Sequence, residues 1–179
     1  NGRVFFIAED AAEGVELWSS NGVATATMVD SGFVPGTDSS SPAELTVLGN
    51  TLFFAATTSI NTPAPNYDTG RELFRSDGNS ITLVNETNFF GSSDPEFLTV
   101  SKGQLYFVAD DGTNGRVVFY HLPGAGGQPT LPVGEGNAAV GGSNPRNRTD
   151  ADGVLYFIAD NGNDGFEPYR FDNGSLGQV

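Results

Sequence analysis

Val154-Leu155-Tyr156-Phe157-Ile158-Ala159 is an unbroken apolar run with two aromatic residues at its centre. A strand with one wet face alternates apolar and polar residues, so continuous apolarity implies that both faces are covered. Working outward, the same aromatic marker stands at Val4-Phe5-Phe6, Leu52-Phe53-Phe54 and Leu105-Tyr106-Phe107. A unit recurring every fifty residues or so in a glycine-rich chain points to a propeller or another β array. Each propeller blade lies between two neighbours, which supplies the double covering. A β-sandwich competes, but it demands no such period. No segment keeps a helical periodicity, so helices are expected to be few or absent.

The second repeat is the easiest to divide. Leu45–Leu48, Thr51–Ala56, Arg71–Ser76 and Ile81–Val84 read as four strands, with turns at Gly49-Asn50 and Asp77-Gly78. Asp-Gly and Asn-Gly favour tight hairpins whose central residues tolerate positive φ, and Asn21-Gly22 and Asn173-Gly174 repeat the signal. Ser41-Pro42, Ser93-Asp94-Pro95 and Ser143-Asn144-Pro145 precede the first strand of the later repeats, where proline belongs at a strand entrance. The expected fold is therefore all-β: a propeller-like array of about four four-stranded blades, the first lacking its first strand. The blade units span residues 1–30, 41–86, 94–134 and 144–179 of one repeat domain. An open blade edge is a template for a strand from another copy.

Composition narrows the partners. With 22 acidic and 8 basic residues the formal net charge is −14, and Lys102 is the single lysine. Such a surface repels phosphate backbones and anionic lipid, which disfavours nucleic acid and membrane partners. Cysteine is absent, which excludes disulfides and thiolate metal sites. No stretch has the length of a membrane-spanning helix. The chain opens inside a repeat at Asn1, as expected of an excerpt or a mature fragment.

The third-strand motif carries a family resemblance. It reads Gly14-Val15-Glu16-Leu17-Trp18-Ser19-Ser20-Asn21-Gly22 and Gly70-Arg71-Glu72-Leu73-Phe74-Arg75-Ser76-Asp77-Gly78. Weaker copies are Gly115-Arg116-Val117-Val118-Phe119 and Gly165-Phe166-Glu167-Pro168-Tyr169-Arg170. This resembles the bacterial ELWxxDGT repeat family over essentially the whole chain. The resemblance implies a secreted or cell-surface location and the propeller-like fold; the function expected with them is a non-enzymatic structural or adhesive role, in a larger protein or filament. It carries no catalytic residues.

Several residues invite chemical readings. The loops Glu9-Asp10-Ala11-Ala12-Glu13-Gly14, Asp110-Asp111-Gly112-Thr113-Asn114-Gly115 and Asp160-Asn161-Gly162-Asn163-Asp164-Gly165 partly resemble calcium loops. Candidate ligands are Glu9, Glu13, Asp110, Asn114, Asp160 and Asp164, although the third loop position lacks the expected oxygen donor. The competing account is that Asp and Asn bond nearby amides to start the hairpin. With calcium as cofactor, the alternative function is a lectin-like module for surface polysaccharide; self-association is the other partner expectation. The second-repeat insertion carrying Pro63 and Pro65 is the expected place for specialised contacts. Glu16, Glu72 and Glu167 occupy equivalent places, whereas a glycosidase needs two carboxyls in unlike environments, so a polysaccharide-degrading enzyme ranks last. His121 lacks a nucleophile partner and is expected at the surface or anchoring a loop. Trp18, Phe74, Phe119 and Tyr169 share one motif position and suit packing between blades, or sugar stacking. Arg146, Arg148 and Asp150 fall where apolar residues open the earlier blades, which implies exposure or a contact elsewhere.

Overall fold

The computed structural model describes residues 2–29, 33–34, 36–58, 70–84, 87–88, 91–121, 131–132, 142–172 and 175–179. Among them every regular element is a strand. The first sheet holds β1 (Val4–Asp10), β2 (Gly14–Ser20) and β3 (Thr27–Met28). The second holds β4 (Ala43–Leu48), β5 (Thr51–Thr57), β6 (Arg71–Ser76) and β7 (Ile81–Leu83). The third holds β8 (Glu96–Ser101), β9 (Gln104–Asp110), β10 (Arg116–His121) and β11 (Leu131–Pro132). The fourth holds β12 (Arg146–Ala151), β13 (Val154–Asp160), β14 (Phe166–Asp172) and β15 (Ser175–Gln178). All four are antiparallel meanders in chain order, three-stranded in the first and four-stranded in the rest. No helix of the described residues is long and apolar enough to cross a membrane. The Pro63 and Pro65 insertion and the Asn173-Gly174 turn lie outside the described residues.

Turn chemistry follows two patterns. Lys102-Gly103 and Asp152-Gly153 hold positive φ at both residues, 45° and 74°, then 54° and 81°, as a two-residue hairpin that follows the sheet twist requires. Asn21 and Asp77 do not. Asn21 Oδ1 accepts the amides of Val23 and Ala24, and Asp77 Oδ1 those of Asn79 and Ser80. These are Asx turns opening longer loops, in place of the expected tight hairpins.

Consecutive sheets pack face to face. Leu17 and Val29 meet Leu52, Phe54 and Phe74 between the first and second. Phe53 and Leu73 meet Leu105, Phe107 and Phe119 between the second and third. Tyr106, Val108 and Val118 meet Leu155, Phe157 and Phe171 between the third and fourth. The opening strands also neighbour one another, β4 beside β8 and β8 beside β12. Each of these carries a bulge, with register slips between Ala43 and Thr46, Glu96 and Thr99, and Arg146 and Thr149. The bulged residues Glu44, Phe97 and Asn147 have φ of 61°, 59° and 52°, a left-handed setting that is uncommon outside glycine and Asn or Asp.

Continuous apolarity translates into double covering for β5 and β9, which are buried along their length. For β1 and β13 that expectation fails. Val4 is exposed, and so is Tyr156. An end sheet has a single neighbour, so one of its faces meets solvent although its sequence is as apolar as the others.

Candidate functional site

The most elaborate polar structure lies where the chain passes from one sheet to the next. The connector residues Ser41, Asp94 and Asn144, each directly before proline, take φ of 46°, 43° and 45°. Their amides donate to the carbonyls of Val15, Arg71 and Arg116, each at 3.1 Å. One residue earlier, the carbonyls of Ser40, Ser93 and Ser143 accept the amides of Thr57, Asp110 and Asp160, each at 2.8 Å. Every connector is thus stitched to the strand that follows the aromatic one in the sheet it leaves, β2, β6 or β10. It is also stitched to the aromatic strand of the sheet it enters. Gly14 makes room for this, since a Cβ there meets Ser39 Oγ at 2.6 Å and the Asp38 carbonyl at 2.7 Å.

Two glutamates fasten the stitch. Glu16 Oε1 accepts the Ser40 amide at 2.8 Å, and its Oε2 accepts the Ser40 hydroxyl. Glu72 repeats this with Ser93, whose amide donates at 2.7 Å and hydroxyl at 2.5 Å. Burial pushes the Glu16 carboxyl above the ordinary glutamate range, against the lowering pull of the two Ser40 hydrogen bonds. The third joint lacks the carboxylate because Val117 stands in its place. Ser143 Oγ is correspondingly buried without a hydrogen-bond partner among the described residues. The fourth copy, Glu167, is half-buried and makes no hydrogen bond or ion pair with the described residues. Sequence reading recognised the glutamates as equivalent but missed their serine partners. The available signal was a serine two places before each connector proline.

The candidate calcium loops are closed by their own amides. Asp110 Oδ1 accepts the Gly112 amide at 2.7 Å, and Asp160 Oδ1 accepts that of Gly162 at 2.8 Å. Asp111 Oδ1 takes the amides of Thr113 and Asn114, while Asn114 Nδ2 donates to Asp111 Oδ2 at 2.7 Å. Burial raises the Asp111 pKa, but the hydrogen bonds from Asn114 and Thr113 outweigh it and hold the carboxyl below its usual range. Asn161 Oδ1 accepts from Asn163 and Asp164. In the first loop Asp10, next to the candidate Glu9, accepts the Ala12 amide at 2.8 Å, and Glu13 donates its own amide to the Asp10 carbonyl. No three His, Cys, Asp or Glu side chains of the described residues gather as a metal-holding group.

Other singled-out residues find structural partners. Phe74 packs edge-on to Phe33 at 4.9 Å, Phe119 stacks on Phe107 at 5.7 Å and Tyr169 on Phe157 at 5.9 Å. His121 is buried against Phe53, with ring centroids 5.3 Å apart, which corrects the surface placement. Arg148 lies over the Phe97 ring at 4.0 Å, and Arg146 over Phe166 at 4.1 Å. The charged strand β12 therefore makes contact with aromatics at the sheet margin while staying largely exposed. A notch of about 230 Å³ beside β6, lined by Arg75, Asp77, Ser80 and Thr82, falls short of the ~300 Å³ at which organic-ligand pockets begin.

No family model matches this chain, and no curated protein matches it significantly.

Proposed function

We propose that this chain is a non-enzymatic structural or adhesive interaction domain of the secreted or cell-surface kind, built of ELWxxDGT-type repeats. Its four sheets are read as successive blades of a propeller-like arc, with β4, β8 and β12 on the inner side. One observation carries the reading. The glutamates of the repeated motif, the best carboxylates for catalysis, are occupied at Glu16 and Glu72 in holding serines of the next connector. Side chains held to buried amides and hydroxyls serve the scaffold. Recognition then falls to loops and exposed faces, where rigid scaffolds carry variable function.

The test combines surface labelling with activity screening. Antibody against the chain should label intact producing cells, and deletion should lower their attachment several-fold. The purified chain should turn over none of a panel of envelope polysaccharides. Polysaccharide cleavage, or a chain confined to the cell interior, overturns the proposal.

A further inference from the structure

The fourth sheet repeats the parts of a joint that it does not use. Glu16 pairs across its sheet with Ala8, and Glu72 with Ala56. Glu167 pairs with Ala159 in the same register. The strand after it also keeps the course of the earlier sheets. The Pro168 carbonyl accepts the Val179 amide at 2.9 Å, as Leu17 accepts from Val29 at 2.8 Å and Leu73 from Val84 at 2.9 Å. Gly165 holds φ at 89°, like Gly14 and Gly70 before the first two glutamates. At Gly14 and Gly70 a connector fills the space a Cβ would take, whereas at Gly165 nothing lies within 4 Å.

The face beside this empty place has the same history. Phe53, Tyr106 and Tyr156 are central aromatics of β5, β9 and β13, the aromatic strands of three successive sheets. Phe53 and Tyr106 are 3% and 5% exposed beneath the next sheet, while Tyr156 is 38% exposed. Phe166, next to Gly165, is 43% exposed, with the Arg146 guanidinium over its ring. Two independent features, a cradle whose carboxylate is unengaged among the described residues and a largely apolar face, therefore call for the same occupant.

We infer that Gly165, Glu167 and the face bearing Tyr156 and Phe166 form a docking seat for a β-repeat unit entered by a Ser-x-Pro connector. The chemistry is specific. Glu167 accepts the amide and hydroxyl of the incoming serine, Gly165 admits the connector backbone, and the aromatic face receives the apolar strand that follows. A second copy docking by its first sheet brings no such serine, because its three described connectors are engaged within its own array. The seat gives the interaction-domain reading a surface and rests on that reading only for its biological use.

The test is an NMR titration of the whole chain with a synthetic peptide of residues 37–48, the connector and opening strand of the second sheet. Saturable shifts are expected at Gly165, Phe166, Glu167 and Tyr156. Ser40→Ala in the peptide, or Glu167→Val in the protein, should weaken binding roughly tenfold, the loss of one hydrogen-bonded carboxylate contact. Tyr156→Ser, an exposed change, should also weaken it. Absence of saturable shifts overturns the seat, as does equal binding by the Ser40→Ala peptide. Occupation of the face by a second copy, unaffected by Glu167→Val, overturns it too. Peptide binding is independent of surface labelling and attachment, so either proposal can fail while the other stands.

Discussion

Glu72 holds Ser93 by both of its oxygens, one on the serine amide at 2.7 Å and one on the hydroxyl at 2.5 Å. Both residues are fully buried. A buried donor left without an acceptor forfeits its hydration as well as its hydrogen bond. This pair therefore ties the second sheet to the third through a contact that water cannot replace.

Removing the acceptor tests that claim. Glu72→Ala should cost about 3 kcal/mol of unfolding free energy, because two donors are stranded in a dry site. Chemical denaturation measures it. A double-mutant cycle with Ser93→Ala should return a coupling of about 1–2 kcal/mol; additive losses would show that the two side chains act separately.

The first joint should respond to pH. The Glu16 carboxyl titrates above its unfolded value of 4.5 because burial disfavours the charge. The folded state then binds the proton more tightly than the unfolded state. Glu16 thus contributes stability that is fully present below the unfolded pKa and is lost as pH rises through the folded one. Urea melts of the parent and Glu16→Gln across that window isolate the term from the other acidic groups. The stability of the parent relative to the variant should decline with rising pH; a constant difference would contradict the raised pKa.

Val117 and Val118 offer a matched pair of substitutions. Val117→Glu restores the carboxylate position opposite Ser143, whose hydroxyl lacks a partner among the described residues. Val118→Glu puts the same charge into the apolar contact between the third and fourth sheets. Val117 is itself buried against the second sheet, but its glutamate would meet a waiting donor, so the first should cost clearly less than the second, which should lose several kcal/mol. Equal thermal destabilisation of both would refute the assignment of Val117 to the joint.

Calcium removal is expected to leave the melting temperature unchanged. Asp110, Asp111 and Asp160 already accept loop amides, so hairpin closure does not depend on a cation. A chelator-induced drop in Tm, restored by added calcium, would instead identify a bound ion through its linkage to folding.

Much of this architecture was legible because it rests on local rules. The aromatic runs mark β5, β9 and β13, and the residues before Pro42, Pro95 and Pro145 mark the strand entrances. Less legible were features that need a residue from another repeat. Ser40 carries no meaning by itself until Glu16 is brought to it, 24 positions away in the chain. The bulges escaped for another reason: Glu44 and Phe97 are poor advertisements for positive φ, and only Asn147 favours it. Within the candidate calcium loops, spacing marked Asp110 and Asn114, but the acceptor of the two amides is the intervening Asp111. The exposure of Tyr156 was illegible because its strand matches the covered ones; only the number of neighbouring sheets distinguishes them.

The vacancy of a carboxylate at position 117 has a mechanical side. The sheets follow one another along the chain, and a load drawn from end to end passes through each joint in turn. Two are riveted by a buried side chain that grips its neighbour twice, whereas the third relies on backbone contacts, grease and two contacts at its margin, the Lys102–Asp172 ion pair and Arg148 over Phe97. Under tension the third joint should therefore part before the first two, leaving the leading three sheets as the sturdier remnant.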